Sequence, residues 1–89
     1  MPPPARPPQQ RKQDTLDRLE RDVDAWVATA DPGTGTPYLV PLSFLWFDPR
    51  RLSGPYTYFR IHPRRLQAWR EADELEDREL MRDGHWLVP

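Results

Sequence analysis

The chain has 89 residues and a mass of 10.6 kDa, which is enough for one small domain. It contains no cysteine, so disulfides, thiolate metal sites and thiol nucleophiles are excluded. Its 13 basic and 14 acidic residues give a net charge of -1, and it has neither an apolar run of transmembrane length nor the apolar core of a signal peptide. These properties predict a cytoplasmic protein without a membrane or nucleic-acid partner.

The first twelve residues are rich in proline and carry Arg6, Arg11 and Lys12 without any acidic side chain. Such a composition buries little apolar surface. We therefore predict a disordered, proline-rich tail over residues 1–12 and a folded domain over residues 13–89.

The pattern changes at Asp14, which is a suitable helix N-cap. Leu16, Leu19 and Val23 follow at a helical spacing and form a narrow apolar stripe. The sequence therefore predicts a short amphipathic helix over residues 14–23 that must dock on another part of the fold.

Two apolar runs separated by turn residues predict a β-hairpin. The first run covers residues 25–30, the turn has the sequence DPGTG, and the second run covers residues 38–47. Both faces of the second run are apolar, which is typical of a strand that is covered on two sides. Pro41 removes one backbone N–H, so we expect a sheet edge, a bulge or a ligand at that position.

Alternating residues from Tyr56 to Ile61 predict a third strand, which is interrupted at Pro63 and resumes over residues 66–69. We expect this last strand to pair with the long second strand, with Trp46 and Phe59 in the core. The predicted fold is therefore mainly β, with a short N-terminal helix and about three antiparallel strands.

Charge is distributed in two adjoining blocks. Residues 49–70 contain six arginines and no acid, whereas residues 71–83 contain seven acids and two arginines. We expect the blocks to face each other, or to face the opposite block of a second subunit. The arginines and aromatic residues would also suit nucleic acid, but the acidic block and the net charge argue against it. No residue pattern indicates a catalytic group or a metal site, and we predict neither.

The two halves of the sequence resemble the two ends of a known family. The stretch LDRLERDVDAWVATADPGTGTPYLVPLSFLW resembles the start of the pyridoxamine 5′-phosphate oxidase family, and PYTYFRIHPRRLQAWREADELEDRELMRDGHWLV resembles its end. The similarity is closest to the bacterial branches that bind FMN or the deazaflavin F420. Because the family's central segment is missing near Trp46, the resemblance implies a truncated split β-barrel that forms a homodimer.

The resemblance also implies a cofactor site for FMN, with F420 as the alternative. The positions that match the family's cofactor contacts are Pro41, Leu42, Ser43, Trp69 and Arg78. The segment that grips the cofactor phosphate in the family belongs to the missing middle of the chain, and its loss removes charged hydrogen bonds that are each worth about 1.5–3 kcal/mol.

The run Glu74-Leu75-Glu76-Asp77-Arg78 stands where the oxidase has an R-L-H-D-R run that binds its substrate, so acids replace both substrate contacts. We therefore expect an FMN- or F420-dependent oxidoreductase impaired by the missing segment, in which the cofactor carries the hydride. The alternative is a non-enzymatic remnant that associates with itself or with a longer homologue, since open sheet edges favour association.

Overall fold

The structure, a computed structural model, describes residues 4–46, 54 and 58–89. These residues form one α-helix, five strands and a 3₁₀ helix over Ala72–Glu74. The α-helix and strands are α1 (Pro8–Arg21), β1 (Asp24–Ala30), β2 (Pro37–Ser43), β3 (Leu66–Gln67), β4 (Glu79–Arg82) and β5 (His85–Trp86). The strands make two antiparallel sheets, β1–β2 and β3–β4–β5, and the described residues do not close a barrel. The predicted mainly-β class with a short N-terminal helix is confirmed.

The chain divides into two compact units, and α1 contributes residues to both. The first unit comprises Met1–Asp17 and Pro55–Pro89, and the second comprises Arg18–Gly54. The buried apolar side chains of the first unit are Leu80, Met81 and Val88. None of the described residues of the second unit is buried.

Helix α1 begins at Pro8, earlier than the predicted Asp14, and ends at Arg21, before Val23. Proline suits the first helical position, where its fixed φ is favourable and its missing N–H would have had no helical partner. The N–H of Arg11 donates to the carbonyl oxygen of Pro7 at 3.1 Å and closes the first turn. Residues 8–12, which composition predicted to be part of a disordered tail, are therefore helical.

The predicted β1–β2 hairpin is confirmed, with a regular register that pairs Asp24 with Ser43 and Ala30 with Pro37. In the turn, the carboxylate of Asp31 accepts hydrogen bonds from the N–H groups of Gly33 and Thr34 at 2.8 and 2.9 Å. The Thr34 and Gly33 bonds lower the pKa of Asp31. The hairpin is thus fixed by local turn chemistry.

The second strand is shorter than predicted, and its two faces are not buried. Strand β2 ends at Ser43, and Phe47 lies outside the described residues. All seven residues of β2 are exposed, so the prediction of a strand covered on both faces is wrong. The prediction failed because an apolar pattern reports which side chains favour burial, whereas burial itself requires a neighbouring layer.

The predicted third strand is only partly present. Tyr56 and Thr57 lie outside the described residues, and residues 58–65 are not in a strand. The resumed part forms β3, which pairs with β4 through a register shift, while β2 pairs with β1. Phe59 is 83% exposed and Trp46 is half-buried, so the prediction of Phe59 as a core residue is wrong.

The β4–β5 hairpin was not predicted, although its turn carries a strong sequence signal. Arg82 pairs with His85, which leaves Asp83 and Gly84 as a two-residue turn. Both turn residues have positive φ, 52° for Asp83 and 80° for Gly84, as a type I′ turn requires. Asp-Gly is one of the preferred sequences for that turn.

We predict that Gly84→Ala destabilises the first unit by about 1–2 kcal/mol, because an L side chain is strained in the left-handed region. No atom lies within 4 Å of the added methyl group, so the effect would come from the backbone and not from a clash. Urea unfolding followed by tryptophan fluorescence measures the change. Gly33→Ala is the matched control, because its φ is not positive and its added methyl group would meet Asp31 at 3.4 Å. Equal destabilisation by the two variants would contradict this account of the turn.

Candidate functional site

The predicted cofactor-side residues of β2 lie on an exposed strand of the second unit. Pro41, Leu42 and Ser43 occupy its last three positions, and all three are exposed. The hydroxyl of Ser43 donates a hydrogen bond to the carboxylate of Asp24 at 2.8 Å. The resemblance assigns these three positions to contact with the flavin ring, and the bond to Asp24 occupies the hydroxyl donor of Ser43.

The other two predicted residues, Trp69 and Arg78, lie in the first unit and are brought together by backbone pairing. The N–H of Ala68 donates to the carbonyl oxygen of Arg78 at 2.9 Å, which places Arg78 beside the residue that precedes Trp69. The register shift between β3 and β4 immediately precedes this contact. The backbones of two residues nine positions apart in sequence are therefore brought close together.

Both side chains are accessible. Trp69 is 49% exposed, and Arg78 is exposed. The Nη1 atom of Arg78 donates to the carbonyl oxygen of Leu75 at 2.9 Å, and no carboxylate among the described residues forms an ion pair with it. The pair therefore offers an aromatic face and a cation whose charge is not neutralised by a described carboxylate.

Residues 74–78, which stand where the resembled family has its substrate-binding run, contain a buried carboxylate with a structural role. The side chain of Glu74 is 1% exposed. It accepts hydrogen bonds from Arg6 N, Nε and Nη2 at 2.8, 3.0 and 2.7 Å, and from the Arg70 N–H at 3.0 Å. Because its oxygens are occupied in this way, Glu74 holds two chain segments together and is not available to a substrate.

The contacts of Arg6 shift the pKa values of its partners. Its hydrogen bonds to Glu74 hold the pKa of that carboxyl well below its usual range, although burial acts in the opposite direction. Its hydrogen bond to Asp14, at 2.9 Å, likewise lowers the pKa of Asp14. Arg6 itself has a raised pKa, chiefly because of the bonds to Glu74. The network is therefore fully charged at neutral pH.

Three basic residues of the N-terminal segment, Arg6, Arg11 and Lys12, bind the C-terminal part of the first unit, and we call them the basic clasp. Arg11 is buried, and its Nη1 atom lies within 3.0–3.4 Å of the carbonyl oxygens of Ala68, Glu74 and Asp77. The Lys12 ammonium donates to the carbonyl oxygen of Val88 at 3.1 Å and lies 4.4 Å from the centre of the Trp86 ring.

Sequence reasoning noted these three cations but assigned them to the tail. Pro8 at a possible helix start, followed by Arg11 and Lys12 before an amphipathic stripe, is the signal that could have placed them on a helix. What they bind could not be inferred, because their partners are mostly carbonyl oxygens, which every residue carries.

The basic and acidic blocks are joined by two ion pairs among the described residues, as expected from their charges. Arg65 Nε lies 2.5 Å from Glu79, and Arg70 Nη2 lies 3.5 Å from Glu74. Glu79 also pairs with Arg82. Burial raises the pKa of Glu79, but the hydrogen bonds from Arg82 and Arg65 outweigh it and leave the pKa lowered. The block from 71 to 83 is therefore bound in part to the basic block.

A groove of about 520 Å³ lies elsewhere in the first unit. Its lining comprises Pro8, Gln9, Asp77, Glu79, Arg82, Leu87, Val88 and Pro89. Neither Trp69 nor Arg78 belongs to this lining, which contains no aromatic ring. The lining therefore includes none of the predicted cofactor residues and offers no aromatic stacking surface for a flavin.

Within the described residues, no three histidine, aspartate or glutamate side chains are grouped so that they could hold a metal ion. Likewise, none of the described helices combines the length and the apolarity that crossing a membrane would require. No protein-family model and no curated protein matches the chain. The family resemblance therefore stays a hypothesis that rests on the two quoted stretches of sequence.

Proposed function

We propose that the chain binds an anionic aromatic cofactor, FMN or alternatively F420, at the surface formed by Trp69 and Arg78. The single observation that supports this most is the backbone bond from Ala68 to Arg78, which brings the backbone of half-exposed Trp69 close to that of Arg78, whose guanidinium has no carboxylate partner among the described residues. Stacking on an aromatic ring and a charged hydrogen bond to a phosphate are the two interactions that such a ligand requires.

Two of the predicted residues are assigned to parts of the cofactor. Trp69 would hold the ring system, and Arg78 would hold the phosphate. The Ser43 hydroxyl already donates to Asp24 and Pro41 has no N–H to donate, so neither residue is assigned to the phosphate. A bound flavin would supply the redox chemistry, and the protein would bind and orient it as a cytoplasmic oxidoreductase. With one guanidinium as the proposed phosphate donor, we expect weak binding.

Titration of FMN with the full chain, followed by quenching of flavin fluorescence, tests the proposal. We predict that Arg78→Ala weakens binding by about tenfold or more, since a charged hydrogen bond contributes ~1.5–3 kcal/mol. Trp69→Ala should abolish the quenching that accompanies ring stacking. A parallel titration with F420 decides between the two cofactors.

Two exposed residues of the same types provide matched controls. Arg60→Ala removes a similar charge and Phe59→Ala removes a similar aromatic surface, and neither residue belongs to the proposed site. Both variants should bind FMN as the native chain does. Failure of the native chain to bind either cofactor, or equal losses in all four variants, would refute the proposed site.

The second candidate function is non-enzymatic self-association, or pairing with a longer homologue. The observation that favours it is the exposure of the β1–β2 hairpin, where Trp26 is 71% and Leu39 is 63% exposed. Exposed apolar surface of this extent marks interaction sites in folded proteins. Association of the full chain in the absence of any cofactor would support this second candidate.

A further inference from the structure

The β1–β2 hairpin lacks the partners that a stable sheet requires. Among the described residues it is a two-stranded sheet, so both of its strands are edges. Every residue of the two strands except Val27 is exposed. An isolated two-stranded hairpin is marginally stable in water, and a third strand or a packed layer is normally needed.

The hydrogen bonds at the two ends of the hairpin show which backbone groups point outward. Val23 accepts from the N–H of Phe44 at 2.7 Å, and the N–H of Asp31 donates to Thr36 at 2.9 Å. Because alternate residues of a strand direct their N–H and C=O groups to the same side, the even-numbered residues of β1 point away from β2. These outward residues are Asp24, Trp26, Ala28 and Ala30.

The same alternation makes the outer edge of β2 a poor partner for another strand. Its outward positions are Pro37, Leu39, Pro41 and Ser43. Proline has no N–H, so every second donor on this edge is missing. Proline is one of the devices by which natural sheets protect an edge from further pairing.

The outer edge of β1 has no such protection. Strand β1 contains no proline and no basic residue, and its one charged residue is Asp24 at its first position. No hydrogen bond among the described residues uses the outward groups of this edge. The hairpin therefore has one edge blocked by proline and one edge open to a further strand.

We propose that β1 pairs antiparallel with β1 of a second copy of this chain, making a continuous sheet in the order β2–β1–β1–β2. This inference rests on the second candidate function, self-association, and names the surface that carries it. A two-fold axis at Val27 sets Asp24 opposite Ala30 and Trp26 opposite Ala28 of the second copy. In this register every outward residue of one strand meets an outward residue of the other, and each pair exchanges both backbone bonds.

Side-chain size and charge favour the same register. The indole of Trp26 would lie beside the methyl group of Ala28, which leaves room for it, and diagonally from the Trp26 of the second copy. The two Asp24 carboxylates would lie at opposite ends of the paired strands. A parallel arrangement in register would place the two carboxylates side by side, and like charges directly opposite are destabilising.

The absence of cysteine allows this register to be tested by disulfide trapping in the full chain. Val27→Cys would place two thiols across the axis in a non-hydrogen-bonded pair, where the Cα atoms are about 4.5 Å apart, within the range that a disulfide spans. Val40→Cys is the matched control, because Val40 lies directly opposite Val27 in the hairpin but one strand farther from the axis.

We predict that the native chain sediments with twice its mass of 10.6 kDa and that Val27→Cys, unlike Val40→Cys, oxidises to a covalent dimer. Ala28→Pro should abolish both the dimeric mass and the cross-link, because it removes an outward N–H that the hairpin itself does not use. Leu39→Pro makes the same change on the outer edge of β2 and should leave the dimer intact.

Two results would overturn the inference in distinguishable ways. A dimeric mass with equal cross-linking of Val27→Cys and Val40→Cys would overturn edge pairing but leave self-association standing. A monomeric mass at every concentration would overturn both edge pairing and the self-association on which it rests. Neither result depends on whether Ala28→Pro folds.

Discussion

Glu74→Gln is expected to leave the unit of Met1–Asp17 and Pro55–Pro89 largely unfolded at neutral pH. The substitution removes the negative charge that faces the side chain of Arg6, which is 15% exposed, and replaces one acceptor oxygen with an amide that donates. Arg6 keeps Asp14 as a second carboxylate partner, but it loses the more buried of the two, and removing one partner of a buried ion pair is strongly destabilising. Near-ultraviolet circular dichroism, which reports the packing of the tryptophans, would show the loss of tertiary structure.

The pH dependence of this effect provides a second readout. Because the pKa of Glu74 is lowered in the folded state, its contribution to stability is present above the ordinary carboxyl value of 4.5 and is lost as the pH falls below it. Glutamine does not titrate, so the difference between the native chain and the variant should narrow in acid. Asp14 and Glu79 also have lowered pKa values, but both residues are present in the native chain and in the variant, so the comparison isolates Glu74.

Glu76→Gln is the matched control for the charge change, since Glu76 is exposed and none of the hydrogen bonds or ion pairs of the described residues involves its side chain. It should unfold at the same urea concentration as the native chain. If Glu74→Gln were as stable as Glu76→Gln at neutral pH, the network around Arg6 would contribute no stability to the unit.

Leu80→Ala is expected to have a comparably large effect. Leu80 is 0% exposed and lies in β4, the central strand of its sheet. Truncation of a buried leucine costs about 2–5 kcal/mol through lost transfer energy and the cavity left behind. A small domain has only about 5 kcal/mol of total stability at the lower end of the usual range, so the variant should be partly unfolded without denaturant.

Leu87→Ala removes the same atoms from a side chain that is 51% exposed, and it should change stability by less than about 0.5 kcal/mol. Urea unfolding of both variants measures the difference, provided that the free energy of unfolding depends equally steeply on urea concentration in both. Similar midpoints for the two would show that β4 does not carry the core of its unit.

The parts of the fold that could be predicted from the sequence are those fixed by local chemistry. The β1–β2 hairpin follows from two apolar runs around Asp31 and the glycines of its turn, and no distant residue is needed to specify it. The Asp83-Gly84 turn is equally local, because its Asp-Gly sequence tolerates the two positive φ angles that the turn requires. Local signals were thus sufficient for both hairpins.

The parts that could not be predicted depend on distant partners. Composition favoured disorder before Asp14, whereas residues 8–12 are helical and two of them, Arg11 and Lys12, bind groups more than 50 residues away. The neighbouring positions of Trp69 and Arg78 depend on how β3 pairs with β4, and a register shift there cannot be inferred from alternation. The apolar pattern of β2 likewise could not reveal whether another layer covers the strand, and among the described residues all seven of its side chains are exposed.

The basic clasp has a consequence for the order in which this protein folds during synthesis. The hairpin contains all of its own contacts within residues 23–44, and such a structure forms within microseconds once these residues are available. Arg6 must wait for Glu74, which is 68 positions later, and Lys12 must wait for Val88. A ribosome adding about 5–20 residues per second leaves an interval of seconds in which all residues of the hairpin are available to pair while Arg6 and Lys12 still lack these partners. Under the proposed β1–β1 pairing, nascent chains on neighbouring ribosomes would meet through the hairpin before the N-terminal segment of either chain has bound its C-terminal partners.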